Sequence, residues 1–214
     1  MYPKKIYFIR HGETEYNRLN IVQGRGVNSV LNDTGQWQAA AFFHTYRHIP
    51  FEAVIASSLQ RTHQTVAGFI DLPGMPFFQV PDLDEMHWGR FEGQSSSPEL
   101  KEMYQQATRE WSSGNYAFSF ADGENAFQLA ERIGRALTHI CSRPEQTLLV
   151  CSHGRALRCL LCLAKGLPLS EMGSIHPKNT GLFLAHFDGS DFHFELENDT
   201  QHLVRLPHPL PELS

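Results

Sequence analysis

The stretch Lys5-Ile6-Tyr7-Phe8-Ile9-Arg10-His11-Gly12 decides the fold class of this 214-residue chain. Ile and aromatic residues from Lys5 to Ile9 read as a short buried strand, which Gly12 ends. A second stretch repeats the pattern: Thr147-Leu-Leu-Val-Cys-Ser152 is a buried strand that runs into His153-Gly154. Between the two, strands and helices alternate. A helix is expected from an N-cap at Asp33 or Thr34, with Gln36 supporting Asp33, to about Tyr46. Phe51 to Ser57 reads as a strand, Leu59 to Ile70 as a helix, Phe77 to Val80 as a strand, and Leu83 to Pro98 as loop. Pro98 to about Ser112 reads as a helix, followed by an irregular connection to Gly123. From Glu124 to Ile140, Ala126, Ala130, Ile133, Leu137 and Ile140 recur at intervals of four and three, which marks one face of an amphipathic helix. A helix from about Arg155 to Lys165 follows the His153-Gly154 strand, and Leu182 to Phe187 with Phe192 to Glu197 read as a closing antiparallel hairpin. The fold class is therefore α/β, with a mixed sheet covered on both faces.

Composition narrows the function classes. Apolar residues make up 41% and charged residues 19%, close to globular averages. Eighteen Lys and Arg against 23 Asp and Glu leave a net charge of -5, without the cationic excess that nucleic acid or an anionic membrane surface demands. The apolar run at Ile6–Ile9 is far too short for a signal peptide or membrane helix, so a cytoplasmic chain is expected. Cys141, Cys151, Cys159 and Cys162 read as buried reduced thiols rather than a redox or zinc site. With no linker or repeat, one domain over residues 1–214 is expected. Residues 89–122 form a lid-like insertion over the site, in which Trp111, Tyr116, Phe118 and Phe120 read as packing rather than substrate contacts.

The chemistry gathers at the strand ends, where open α/β sheets bind ligands. One strand delivers Arg10 and His11, another His153, and the strand before Ser57-Ser-Leu-Gln-Arg61 brings Arg61 to the same edge. Asp82, Asp84 and Glu85 offer a carboxylate nearby. Two guanidiniums match a phosphate dianion and stay charged at any relevant pH. An imidazole beside them stays neutral, which is its nucleophilic form, and suits in-line attack on phosphorus. A second imidazole can donate to the phosphoryl oxygens, while a carboxylic acid protonates the leaving alkoxide.

Arg10-His11-Gly12-Glu13-Thr14 with Asn17 resembles the signature of the histidine phosphatase superfamily, in its phosphoglycerate-mutase-like branch. The resemblance continues in order through Gln23-Gly24, Leu31-Asn-Asp-Thr-Gly35, Ser57 to Thr65, Leu83-Asp-Glu85, Gly89, Glu92-Gly93, Gly123-Glu124, Val150 to Gly154 and Asn179-Thr180. It implies a three-layer α/β/α sandwich and a metal-independent enzyme without cofactor. It implies His11 as the phospho-accepting nucleophile, Arg10, Arg61 and His153 as the phosphate pocket, and Glu85 as the proton donor. It further implies Asn17 as a phosphate contact, Gln23 and Gly24 as a substrate-facing turn, and the backbone at Thr180 at the phosphate's border. Dimers are common in the family, although no feature of this sequence demands one.

Mutases of that family recognise phosphoglycerate with a lysine after the catalytic glutamate and an arginine pair in the insertion. The corresponding segments here are Gln94-Ser-Ser-Ser-Pro98 and Arg109-Glu-Trp111. Hydrolysis of small phosphorylated metabolites is therefore expected over phosphoglycerate mutase activity. A ribazole-phosphate phosphatase of cobalamin synthesis is one alternative, and a non-catalytic phosphate-binding regulator is the alternative from another class. A metal-dependent hydrolase is disfavoured, because the two arginines would repel a divalent ion.

Overall fold

The computed structural model describes residues 3–119 and 122–205. Chain order runs β1 (Lys4–Arg10), α1 (Glu15–Arg18), α2 (Asp33–Tyr46), β2 (Ala53–Ala56), α3 (Gln60–Ile70) and β3 (Phe77–Gln79). It continues through α4 (Pro98–Ser112), α5 (Ala126–Ser142), β4 (Thr147–Ser152), α6 (Gly154–Ala164), β5 (Leu182–Phe187), β6 (Phe192–Asp199) and α7 (Gln201–Arg205).

The strands form one mixed sheet in the order β3-β2-β4-β1-β5-β6. The first four run parallel, β5 lies antiparallel to β1, and β6 antiparallel to β5. Strand alternation sorts side chains between two cores. Ile6 and Phe8 of β1 point into one cluster with Leu129 and Ile133 of α5 and Leu157 and Leu160 of α6. Tyr7 and Ile9 point into the other, with Phe42 of α2 and Val66 and Phe69 of α3. Helices thus cover both faces, and the α/β/α sandwich is the observed architecture.

Several boundaries differ from the sequence reading. The N-cap of α2 is Asn32, whose side chain accepts from Gly35 N, one residue before the expected pair. Asn32 was overlooked because Asn, Asp and Thr stand in a row and all cap well. The helix α5 opens on a capping box between Asn125 and Gln128 rather than at Glu124. The short helices α1 and α7 were not anticipated; neither is long enough to show a hydrophobic period.

The four cysteines are free and buried, and burial pushes the Cys141 and Cys162 thiols up to about 11. Trp111 is buried, with its indole N–H on Phe118 O, and Tyr116 and Phe118 pack against the same core, so these aromatics serve packing. Phe120 lies outside the described residues. Among the described residues no helix is long and apolar enough to cross a membrane.

Candidate active site

The parallel register pairs Arg10 with Ser152, so the residues that follow, His11 and His153, emerge side by side. Their ring centroids are 5.2 Å apart. His11 N–H donates to Ser152 O at 3.0 Å, which extends the ladder by one bond. The helix α2 approaches this turn so closely that a Cβ on Gly12 would lie 2.7 Å from Gly35 O, and one on Gly35 2.0 Å from Glu13 O. Both positions require glycine. Glu13 accepts from Asn32 Nδ2 and serves this local packing.

His11 Nδ1 lies 2.7 Å from Gly12 O. A carbonyl only accepts, so Nδ1 carries the proton and Nε2 keeps its lone pair. Burial holds the His11 pKa well below its ordinary 6.5, and the charges of Arg61 and Arg10 press it further down. His11 is therefore a neutral imidazole with a nucleophilic Nε2.

His153 is fully buried. Arg61 donates Nε–H to its Nδ1 at 3.1 Å, and a guanidinium cannot accept, so the ring proton sits on Nε2 and goes to Ser57 Oγ at 2.7 Å. Burial, then Arg61, keep this imidazole neutral as well. The sequence reading assigned His153 as a donor to phosphoryl oxygens. In this arrangement its Nδ1 accepts, and donation would need a second ring proton, which a nearby phosphoryl dianion favours.

Arg61 is among the largest fully buried side chains of the described residues, and burial lowers its pKa to about 10, still cationic at neutral pH. It also donates to Val27 O at 2.6 Å and Gly24 O at 3.4 Å. Arg10 donates a terminal N–H to Pro177 O, while its buried Nε has no partner among the described residues. An unsatisfied cationic N–H beside a neutral imidazole is an anion site in want of an anion.

Glu85 is seated at the amino end of α6. Its Oε1 accepts from Met86 N at 2.8 Å and Ala156 N at 3.0 Å, and its Oε2 from Arg155 N at 3.0 Å. The neighbouring carboxylates point elsewhere: Asp84 takes Ser58 N and Oγ, and Asp82 pairs with Arg135 on the surface. A Cβ placed on Gly154 would lie 3.6 Å from both Glu85 Oε2 and Arg10 Nε, which puts acid and cation at the same spot.

The remaining expected residues divide. Asn17 caps α1, with Oδ1 accepting from Thr14 N and Asn179 Nδ2. Gln23 is held by Thr14 Oγ1 and Ser29. Gly24 makes room for Glu92, whose Oε1 would lie 1.8 Å from a Cβ there. Thr180 donates its N–H to Arg10 O at 2.9 Å and pairs its hydroxyl with His202, so that N–H is already engaged. It reaches this position at φ 52°, and its place is to hold Arg10.

Sequence reasoning missed Ser57 as the partner of His153, although it lies in a block that was singled out. It also missed Arg132, which is buried and donates to Asp82 O, Asp84 O and Glu85 O while pairing with Glu124 at 2.6 Å. One signal existed: a cation three residues after Leu129 on the apolar face of α5. Among the described residues no group of three or more His, Cys, Asp or Glu is arranged to hold a metal.

A neutral imidazole with a lone pair on Nε2, two arginines and a carboxyl group around one point suit phosphoryl transfer. The chain is similar to several known proteins. "Putative phosphoserine phosphatase 2" of Hydrogenobacter thermophilus is 27% identical, over 87% of this chain and 91% of its own length. "Probable phosphoglycerate mutase GpmB" of Yersinia pestis is 30% identical, over 93% and 94%. The solved structure of Bacillus stearothermophilus YhfR superposes with a TM-score of 0.83 at 26% identity, covering 94% of this chain and 99% of that one. Residues 6–200 match the profile of the histidine phosphatase superfamily (branch 1), and the chain belongs to that family.

Proposed function

We propose that this chain is a phosphatase of small phosphorylated metabolites that works through a phosphohistidine. The observation that carries the reading is the neutral His11 with its free Nε2 between two arginines. Nε2 attacks phosphorus, the P–O bond to the alcohol breaks, and Glu85 gives its proton to the departing alkoxide. Water then attacks the phosphohistidine, Glu85 takes a proton from it, and inorganic phosphate leaves as His11 is regenerated. Arg10, Arg61, Asn17 and a transiently protonated His153 stabilise charge on the equatorial oxygens. No step calls for a metal or a cofactor. Residues 89–122 serve as a lid over the site.

Mutases and phosphatases share this first half-reaction and differ in the acceptor. The insertion lacks the adjacent arginine pair with which mutases of the family hold the phosphoglycerate carboxylate, which supports water as the acceptor. Rapid quench with a radiolabelled phosphoester tests the chemistry. An acid-labile label is expected on the wild type and absent in His11→Ala, and a label that persists in the variant would remove His11 as nucleophile. A mutase assay on the same preparation is expected to yield inorganic phosphate rather than an isomerised ester.

A further inference from the structure

We infer that the alcohol half of the substrate carries a flat apolar group, held in a cavity between the 20–23 turn and helix α4. This inference rests on the phosphatase reading above and names the substrate class that the same site takes.

The cavity has a volume of about 330 Å³, and Val22, Trp88, Phe91, Leu100 and Tyr104 form its apolar wall. That size is at the lower end for small-molecule pockets, enough for one ring and its linker. A second, polar cavity on the Arg10 side adjoins it: Arg10, Asn17 and Asn179 line that cavity, and Asn20 and Val22 line both.

The direction of the reaction places the alcohol on this side. The leaving oxygen must face Glu85 to receive its proton, so the rest of the alcohol extends past Glu85. Trp88 lies three residues on from Glu85. Arg155, whose backbone N–H holds Glu85, carries its guanidinium over the rings of Trp88 and Tyr104 at 5.8 and 5.4 Å and donates to the Tyr104 hydroxyl. The acid and the apolar wall are thus built on the same residue.

The lining is mostly apolar and offers a carboxylate few partners. Among the residues lining the cavity, Lys101 is the single charged one, and it is exposed. A carboxylate placed there would lose hydration without gaining a buried cation, whereas a ring would cover Trp88, Phe91 and Leu100.

The test compares 2-phenylethyl phosphate, glycerol 3-phosphate and 3-phosphoglycerate, alkyl esters whose leaving alcohols are similarly basic, so their ratio reports binding rather than intrinsic reactivity. A kcat/KM at least about ten-fold higher for the phenylethyl ester is expected. Ser96→Trp and Gln105→Trp fill the cavity from exposed positions on its rim. They are expected to raise KM for the phenylethyl ester several-fold while leaving kcat and the glycerol 3-phosphate kinetics within two-fold and the melting temperature unshifted. Equal or better use of glycerol 3-phosphate or 3-phosphoglycerate overturns the assignment, as do tryptophan variants that affect all three esters alike. Hydrolysis with a label on His11 but without this preference refutes only the cavity's role. No hydrolysis and no label refute the phosphatase reading, and the inference falls with it.

Discussion

Arg61 donates its Nε–H to Nδ1 of His153 across 3.1 Å, so a permanent cation and a neutral imidazole share one buried hydrogen bond in the centre of the site. The pair sets the protonation state in which the enzyme waits. Arg61 cannot give up the proton, and burial prevents the ring from taking one.

Binding of a dianion should change that balance. Sulfate does not titrate near neutral pH, so calorimetry in buffers of different ionisation enthalpy should record uptake of about one proton per site on binding. The uptake should vanish in His153→Gln. Binding without proton uptake in the wild type would show that His153 stays an acceptor.

Stability should fall on mild acidification, and His202 is the residue to watch. It is fully buried against Thr180 and Phe42, its Nδ1 has no partner among the described residues, and burial lowers its pKa to about 4. Between about pH 6.5 and pH 4 the unfolded chain binds a proton that the folded one refuses, so this contribution is complete above pH 6.5 and shrinks as pH falls. His11 and His153 act with the same sign. Unfolding free energy should decline over that window, and His202→Gln should remove up to about 3 kcal/mol of the decline. An unchanged slope in the variant would show that His202 is protonated in the fold.

Glu85→Gln tests the proton donor. Its amide presents one acceptor oxygen to the three backbone N–H groups that now hold the carboxylate, and it has no proton to give. Turnover of alkyl phosphates should drop by about 10²–10⁴, with a smaller drop for p-nitrophenyl phosphate, whose leaving group needs no protonation. Equal losses with both esters would place the residue outside proton transfer.

Arg132 fixes the segment that carries Glu85. Arg132→Met should cost about 3 kcal/mol, because it takes the cation from the half-buried Glu124 carboxylate and frees the carbonyls of Asp82, Asp84 and Glu85. Arg132→Met with Glu124→Leu should recover part of that stability but not the turnover of alkyl phosphates, since the carbonyl clamp stays lost. Denaturant unfolding of the single and double variants, read beside their kinetics, checks both. Additive losses would mean that the two residues are not coupled.

The layered fold was legible because its signals are local. Ile6 to Ile9 and Leu148 to Cys151 read as buried strands, and the apolar period of α5 declared its buried face. Short elements escaped, since α1 and α7 stand on a cap and a few contacts rather than on any repeat.

The sequence by itself determined the order of strands and helices and the placing of Arg10, His11, Arg61 and His153 at strand ends, because backbone propensity and hydrophobic period act over a few residues. Residue chemistry left three carboxyls open and only the family resemblance pointed to Glu85; the tertiary structure supplied the physical reason. Asp82, Asp84 and Glu85 are adjacent and chemically alike, and what separates them is the partner each finds: Arg135 for Asp82, Ser58 for Asp84, and for Glu85 the amino end of a helix about seventy residues further along. The same holds for the proton on His153, which Arg61 and Ser57 settle from another strand's end. Such choices depend on how distant segments pack, and no local pattern encodes them.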